Sequence, residues 1–312
     1  MMIRRSGTTL IEVLVAIFVA ALGLLGLLAL FPLGAVSMAQ AIKDSRCAQA
    51  AANAFALAET LNVRNDPQVI GNPDLFVDQG IVGIANGRPT PVLADPNGPS
   101  YPVFVDPAGW FLGSRGGALP AVGLPQAKAL PRTFTSFANN AASAVRWFTL
   151  LDDLDLPKEL PVFGESVVRR EGRYSWVYLL RRPRSSNRSI VDLTVVVYSG
   201  RPNIFGQGET AYTPVVFDPT NPVVRVPWGP GQEKPAVRVG SWILDATKVR
   251  TVGTTFLPDP HGYFYRVVNV TEGNGYVDLE LETKPKLGTT EGVLIVLDGV
   301  AEVFEKGPGW RP

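Results

Sequence analysis

An unbroken apolar stretch lies near the start of the chain, from Val13 to Phe31, and contains no charged or strongly polar side chain. As an α-helix rising 1.5 Å per residue, it would cover roughly 30 Å, about the thickness of the hydrocarbon layer of a membrane. No comparable stretch follows, so the pattern predicts a single membrane crossing. The stretch is longer than the apolar core of about 7–15 residues in a secretory signal peptide, which favours a permanent anchor. Arg4 and Arg5 precede it and predict a cytoplasmic N-terminus, with the remaining chain outside.

A second helical segment is predicted directly after the apolar stretch. Pro32 should produce a kink or a melted turn, because proline removes one backbone hydrogen bond and clashes with the preceding turn. The helical pattern resumes from about Ala35 to Asn62, and Asp66-Pro67 should end the element. One side of this segment carries small or aromatic residues at helical spacing, namely Ala48, Ala51, Phe55 and Ala58. We expect this stripe to pack on a sheet, since small side chains allow a close approach.

Strand patterns dominate the second half of the chain. Residues 173–181 and 190–198 predict an antiparallel hairpin with a long loop. A helix is expected before them, over residues 135–154, and the Pro- and Gly-rich residues 199–235 predict a boundary. Further strands are expected at residues 236–245, 263–270, 276–281 and 293–297.

Composition narrows the classes of function. The formal net charge is +1, with 29 basic and 28 acidic residues, so no nucleic-acid partner is expected. The single cysteine and single histidine, Cys47 and His261, exclude an internal disulfide and a zinc site built from several His and Cys. Titratable groups that could converge in a catalytic pocket are few. We therefore expect neither enzymatic activity, nor a cofactor, nor a metal.

Glu12 lies at the edge of the apolar stretch, where a carboxylate is unfavourable. Within a bilayer an acidic side chain costs about 2.5–3.5 kcal/mol on insertion scales, and less near the interface, so its presence calls for a reason. The segment from Gly7 to Ala16, GTTLIEVLVA, resembles the class III signal of type IV pilins and type II secretion pseudopilins, commonly GFTLIEVLVA. Thr8 stands where the family usually has Phe. A plain signal anchor is the alternative.

The resemblance implies processing and assembly roles for these residues. Prepilin peptidase would cut after Gly7 and methylate the new amine of Thr8. Glu12 would pair with such an amine on a neighbouring subunit, which would offset the desolvation of both charges and set the axial stagger. The expected partners are therefore prepilin peptidase, other pilin or pseudopilin subunits through the N-terminal helix, and the inner membrane. The globular part would lie in the periplasm, or outside the cell after assembly.

The resemblance and the strand patterns together imply an α+β fold. A long N-terminal helix, membrane-spanning in one half and amphipathic in the other, should pack on an antiparallel β-sheet, followed by an additional C-terminal β-rich region. The expected segments are a leader (1–7), a transmembrane helix (8–32), its extramembrane continuation (33–62), an α+β globular domain (63–205) and a β-rich region (206–312). The sequence leaves open whether the last segment is a separate barrel-like module or extends the same sheet.

Two charged clusters and one histidine are further candidates. An arginine cluster between the two predicted hairpin strands could bind an anion such as DNA, although a solvated hairpin end is favoured; it comprises Arg181, Arg182, Arg184 and Arg188. An acidic cluster could ligate calcium, but its spacing matches no calcium loop and a solvated helix end is favoured; it comprises Asp152, Asp153, Asp155 and Glu159. His261, between Pro260 and Gly262, is expected in a loop.

The leading hypothesis is a structural subunit, a minor pilin or pseudopilin of a type IV pilus or a type II secretion fibre. The alternative is an adhesion or ligand-binding module displayed on a pilin helix, and an exposed aromatic or arginine-rich patch would favour it. A membrane-anchored enzyme would need a pocket with convergent titratable groups. Pilus and secretion system are not separated by the sequence.

Overall fold

The computed structural model describes most of the chain, namely residues 9–70, 82–85, 88–91, 102–112, 117–119, 124, 128–150, 155–162, 165–170, 173–182, 190–201, 205–229, 231–252 and 255–307. The chain divides into two compact units, Met1–Ala48 and Gln49–Pro312. Helices and antiparallel sheets are both present, so the predicted α+β class is confirmed.

A single helix accounts for most of the helical residues. The helices are α1 (Leu10–Thr60), α2 (Pro67–Ile70), α3 (Pro107–Leu112) and α4 (Ala141–Trp147), with a 3-10 turn at Val63–Asn65. The 51 residues of α1 confirm the long N-terminal helix. It ends at Thr60, before the expected Asn62, because Asn62 takes a left-handed conformation with φ of 47°. Pro32 lies inside α1, so there is no melted turn at this residue, and the kink stays a prediction.

The helix expected over residues 135–154 is shorter than predicted. It is α4, which begins after Asn140, whose side chain accepts a hydrogen bond from the Ser143 amide at 2.8 Å. After α4 the chain extends, and Thr149 forms a bridge with Ser175. The strong N-cap therefore sets the start of the helix at Ala141, six residues later than the apolar periodicity suggested.

The strands of the described residues are, in chain order, β1 (Val82–Ala85), β2 (Arg88–Pro91), β3 (Val103–Val105), β4 (Ala118–Leu119), β5 (Leu130–Thr133), β6 (Asp155–Val162), β7 (Glu165–Arg170), β8 (Tyr174–Arg181), β9 (Asp192–Ser199), β10 (Phe205–Phe217), β11 (Val223–Pro227), β12 (Trp242–Asp245), β13 (Val249–Val252), β14 (Thr255–Pro258), β15 (Tyr263–Gly273), β16 (Tyr276–Leu281), β17 (Thr289–Leu297) and β18 (Val300–Gly307). They form two six-stranded sheets, a four-stranded sheet in the order β13-β14-β1-β2, and the hairpin β6-β7.

The first six-stranded sheet has the order β18-β9-β8-β3-β5-β4. Its centre is the predicted hairpin, in register from Tyr174 opposite Ser199 to Arg181 opposite Asp192. All its pairs are antiparallel except β3 with β5, which run parallel. The last strand, β18, returns from the C-terminal end of the chain to pair with β9. The region after residue 205 therefore completes this sheet.

The second six-stranded sheet, in the order β10-β17-β12-β15-β16-β11, curls around its own apolar core. Its two outer strands, β10 and β11, contact each other, which gives the sheet a barrel-like form. The core includes Tyr212, Phe217, Ile243, Tyr265 and Leu279. Both β10 and β11 lie within residues 199–235, where prolines and glycines flank and interrupt the strands, and the boundary predicted there stays a prediction.

One strand joins the cores of the two sheets. Along β17, Leu294 and Val296 point into the core of the curled sheet, while Val293, Ile295 and Leu297 pack in a second core with residues of the first sheet. That second core includes Val177 and Leu179 of β8. Because β17 is buried on both faces, its sequence is a continuous apolar run without alternation.

Candidate functional site

The first turn of α1 places Glu12 at a defined position. The Thr9 carbonyl accepts hydrogen bonds from the Glu12 amide at 3.0 Å and from the Val13 amide at 3.3 Å, so Thr9 caps the helix. Glu12 is then the third helical residue, where a carboxylate is favoured by the positive end of the helix dipole. The processing residues of the sequence prediction, Gly7 and Thr8, lie outside the described residues.

The part of α1 that follows Glu12 is apolar and exposed. Its large side chains, among them Leu14, Phe18, Leu25 and Phe31, each expose more than half of their surface. No charged residue occurs between Glu12 and Lys43. Within the described residues α1 alone is long and apolar enough to cross a membrane, by length and composition. Exposed surface of this kind is unfavourable in water and suits a lipid environment.

The end of α1 belongs to the globular unit and packs through alanines. Ala50, Ala51, Ala54 and Ala58 are at most 3% exposed. The predicted stripe is therefore partly confirmed, at Ala51 and Ala58. Ala48 is exposed, in contrast to the prediction, because the buried face is centred about one residue further round the helix.

Two polar contacts fix this alanine face on the first sheet. The Tyr178 hydroxyl on β8 donates a hydrogen bond of 2.7 Å to the Ala54 carbonyl. Burial raises the pKa of Tyr178 above its ordinary value, so the group stays a neutral donor. On the edge strand β18, Lys306 forms an ion pair with Glu59, and its ammonium lies 5.1 Å from the centre of the Phe55 ring. Only small residues on the helix allow a backbone carbonyl to meet the Tyr178 hydroxyl.

An apolar groove lies beside the docked end of α1. Its volume is about 430 Å³, and its walls include Leu57 near the end of α1, Leu61 just after the helix, Trp147 and Trp176. Trp147 is 38% exposed, whereas Trp176 is buried. The groove carries few polar atoms, so it offers apolar contact and no evident acid–base chemistry.

Four charged residues meet in the interior between the sheets. Arg201 binds Asp106 in a bidentate manner, with nitrogen–oxygen distances of 2.8 and 2.6 Å. Arg132 lies 3.4 Å from the same carboxylate and pairs with Glu209. Burial raises the pKa of Asp106, but Arg201, Arg132 and the Gly109 amide outweigh burial and lower it to about 2. The cluster is electrically neutral and ties β3, β5 and β10 together.

His261 lies in the loop before β15, as the sequence predicted, but this loop runs through the interior. Its ring is fully buried, and Nδ1 lies 2.6 Å from Asp245 Oδ2. Asp245 is also fully buried and accepts hydrogen bonds from the amide and hydroxyl of Thr247, at 3.1 and 2.6 Å. The flanking Pro260 and Gly262 suggested a loop, but the backbone of this loop runs alongside the end of β12, which carries Asp245.

The predicted arginine cluster does not form a free anion site in the described residues. Arg181 pairs with Asp192 and lies over the Tyr263 ring, 4.1 Å from its centre. Arg182 is 6% exposed. Arg184 and Arg188 lie outside the described residues.

The predicted acidic cluster is only partly described. Asp152 and Asp153 lie outside the described residues, and Asp155 and Glu159 belong to β6. Among the residues whose positions are described, no group of three or more His, Cys, Asp or Glu side chains is arranged to hold a metal.

Sequence reasoning missed the buried charges. Asp106, Arg132, Arg201 and Glu209 are spread over about a third of the chain, and no local motif connects them. The one local signal was Asp106-Pro107 after an apolar strand, which is typical of a helix start. This signal correctly marks α3 but says nothing about the two arginines.

The chain was compared with protein-family models, with curated proteins and with solved structures. No family model, no curated protein and no solved structure matches it. A function therefore has to be argued from the residues of α1 and the way its end is built into the globular unit.

Proposed function

We propose that the chain is a pilin-like structural subunit, a minor pilin or pseudopilin of a type IV pilus or type II secretion fibre, anchored in the inner membrane and processed after Gly7. The observation that carries the proposal is Glu12. Within residues 9–42 it is the only charged side chain, and it stands at the start of a long exposed apolar helix. Such a carboxylate needs a partner when the helix enters a membrane or a helix bundle.

Two roles fit the position of Glu12, and they can be separated. One is the ion pair with the Thr8 amine of a neighbouring subunit, which requires the negative charge. The other is local, because Thr9-Leu10-Ile11-Glu12 has the spacing of a capping box, in which Gln serves as well as Glu. The variants Glu12→Gln and Glu12→Ala therefore give different results for the two roles.

The experiment measures processing and assembly in cells that carry the cognate machinery. The N-terminus of membrane protein should begin at Thr8-Thr9-Leu10. Under the proposal, Glu12→Gln and Glu12→Ala both insert into the membrane as well as the natural chain does, and both are lost from the sheared fibre fraction. If Glu12→Gln assembles normally and Glu12→Ala does not, the role of Glu12 is capping alone. An N-terminus at Met1 in the mature protein would refute processing.

The globular unit supports the proposal through the last turns of α1. A subunit that transmits force along a fibre needs its helix joined firmly to its globular part. The buried alanine face and the bond from Tyr178 to Ala54 provide that joint. No described feature requires catalysis for this role.

A further inference from the structure

The His261 ring lies between two carboxylates. Nδ1 is 2.6 Å from Asp245 Oδ2, a hydrogen bond, and Nε2 is 3.6 Å from Asp259 Oδ1, an ion-pair contact that is longer than a hydrogen bond. A neutral imidazole carries a proton on one nitrogen only, so its other nitrogen would turn a lone pair toward a negative oxygen. The imidazolium form presents an N–H group to both sides. The geometry therefore fits the charged ring.

The segment that carries His261 is held on the neighbouring strand by its backbone. The amides of Asp259, His261 and Gly262 donate hydrogen bonds to carbonyls of residues 248, 247 and 245, at 2.9, 2.9 and 3.0 Å. Gly262 has a φ of +76°, and a side chain there would come within 2.8 Å of Pro102. The path of this segment is thus narrowly defined, and three amide protons report on whether it is closed.

Asp259 connects the buried ring to a surface cavity. The cavity has a volume of about 510 Å³, and Asp259, Phe217 and Arg250 contribute to its wall. The His261 ring packs against Phe217, with ring centres 6.5 Å apart. Two residues of the cavity wall, Asp259 and Phe217, therefore contact the His261 ring.

We propose that His261 is a proton-dependent clamp. As imidazolium it bridges Asp245 and Asp259 and closes the segment 259–262 onto the end of β12. Loss of its proton leaves the ring unable to bind both carboxylates, so Asp259 is released and this wall of the cavity opens. The clamp is independent of the proposed fibre function.

Further charged and titratable groups lie on the elements packed around the segment 259–262. Those on neighbouring elements are Asp245, Lys248, Arg250, Glu291, Tyr265 and Arg181. Burial lowers the pKa of His261, but the bonds to Asp245 and Asp259 and their charges outweigh burial and raise it to about 9. Since this pKa is above the ordinary value of 6.5, the clamp is complete below about pH 6.5 and is lost as the pH rises through about 9.

The chain contains a single histidine, which makes the test direct. The full chain, purified in detergent micelles without a histidine tag, is labelled with ¹⁵N-histidine and titrated by NMR. Both ring nitrogens should give imidazolium signals at pH 7. Across the titration, the protection of the Asp259, His261 and Gly262 amides should fall about tenfold after correction for intrinsic exchange, while amides of β8 and β9 keep theirs.

Two variants test the bridge itself. Asp259→Asn should move the titration midpoint of His261 down by about one pH unit, because it removes one of the two facing charges. Asp218→Asn is the control, since Asp218 lines the same cavity but is not among the described partners of the ring, and it should leave the midpoint in place. Neutral ring signals at pH 7, an unmoved midpoint in Asp259→Asn, or unchanged amide protection through the titration would each overturn the clamp. If Asp259→Asn does not fold, the ring signals and amides of the natural chain still decide.

Discussion

Replacing Asp106 by Asn tests how far the globular unit depends on its buried charges. The substitution keeps the size of the side chain but leaves Arg201 and Arg132, both almost fully buried, with Glu209 as the only remaining carboxylate of the cluster. Removing one partner from a buried ion pair costs about 3–5 kcal/mol, because the other charge stays buried without compensation. The pKa of Asp106, about 2 against the usual 3.8, corresponds to roughly 2.5 kcal/mol at neutral pH, the same order of magnitude.

The assay is a thermal melt of the full chain in detergent, followed by tryptophan fluorescence. For a unit of this size, the expected loss lowers the melting temperature by roughly 6–20 °C. The control is Asp278→Asn, which removes a carboxylate bound by Arg225 in the same bidentate way, at 2.7 and 2.8 Å. Arg225 is 61% exposed, so solvent screens that pair and the control should melt close to the natural chain.

The pH dependence supplies a second measurement on the same residue. Because the pKa of Asp106 is lowered in the folded protein, its stabilising contribution is complete above about pH 4 and is lost as the pH falls through about 2. Asp106→Asn should therefore flatten the stability profile at the acidic end. If Asp106→Asn melts like Asp278→Asn, the buried cluster does not stabilise the fold and the reasoning is wrong.

Two further predictions concern α1. Ala51→Arg should lower the melting temperature by several degrees, because it forces a long charged side chain into a packed site, at a cost at or above the upper end of the usual range of about 0.5–3 kcal/mol. Ala52→Arg is the control, since Ala52 is the next residue and is exposed. Equal melting temperatures for the two variants would mean that the alanine face is not packed. A truncated chain that starts at Ser37 should be soluble and folded, because it lacks the apolar stretch and keeps the docked end of α1; aggregation in gel filtration, or a circular dichroism spectrum without strand signal, would contradict this.

Sequence patterns correctly predicted those elements in which the residues of the element itself show which positions are buried. The β8–β9 hairpin is an example, since both strands combine apolar and β-branched residues over eight positions and pair along their full length. The apolar run of β17 likewise indicated a strand. That this strand joins two cores could not be predicted, because it depends on which sheets pack on either face.

Contacts between distant parts of the chain account for what the sequence did not predict. His261 looked like a loop residue because its neighbours are Pro260 and Gly262, yet Asp245, sixteen positions earlier, places it in the interior. The buried face of α1 was predicted one residue out of phase at Ala48, since most residues of this segment are alanines, which occur on the packed and on the exposed side alike. In each case the deciding partner lies on another element.

The two halves of α1 use apolar residues for opposite purposes. From Val13 to Leu28, directly after Glu12, the side chains are mostly large and exposed, and by length and composition this part of α1 could cross a membrane. From Ala50 to Ala58 the buried positions are all alanine, which contributes little apolar area per residue. The small alanine side chains allow the helix backbone to approach the sheet closely, so that the Tyr178 hydroxyl can donate a hydrogen bond to the Ala54 carbonyl. Attachment of the end of α1 therefore depends on close packing, on the hydrogen bond from Tyr178 and on the ion pair of Lys306 with Glu59, so a single added side chain at Ala51 should weaken it.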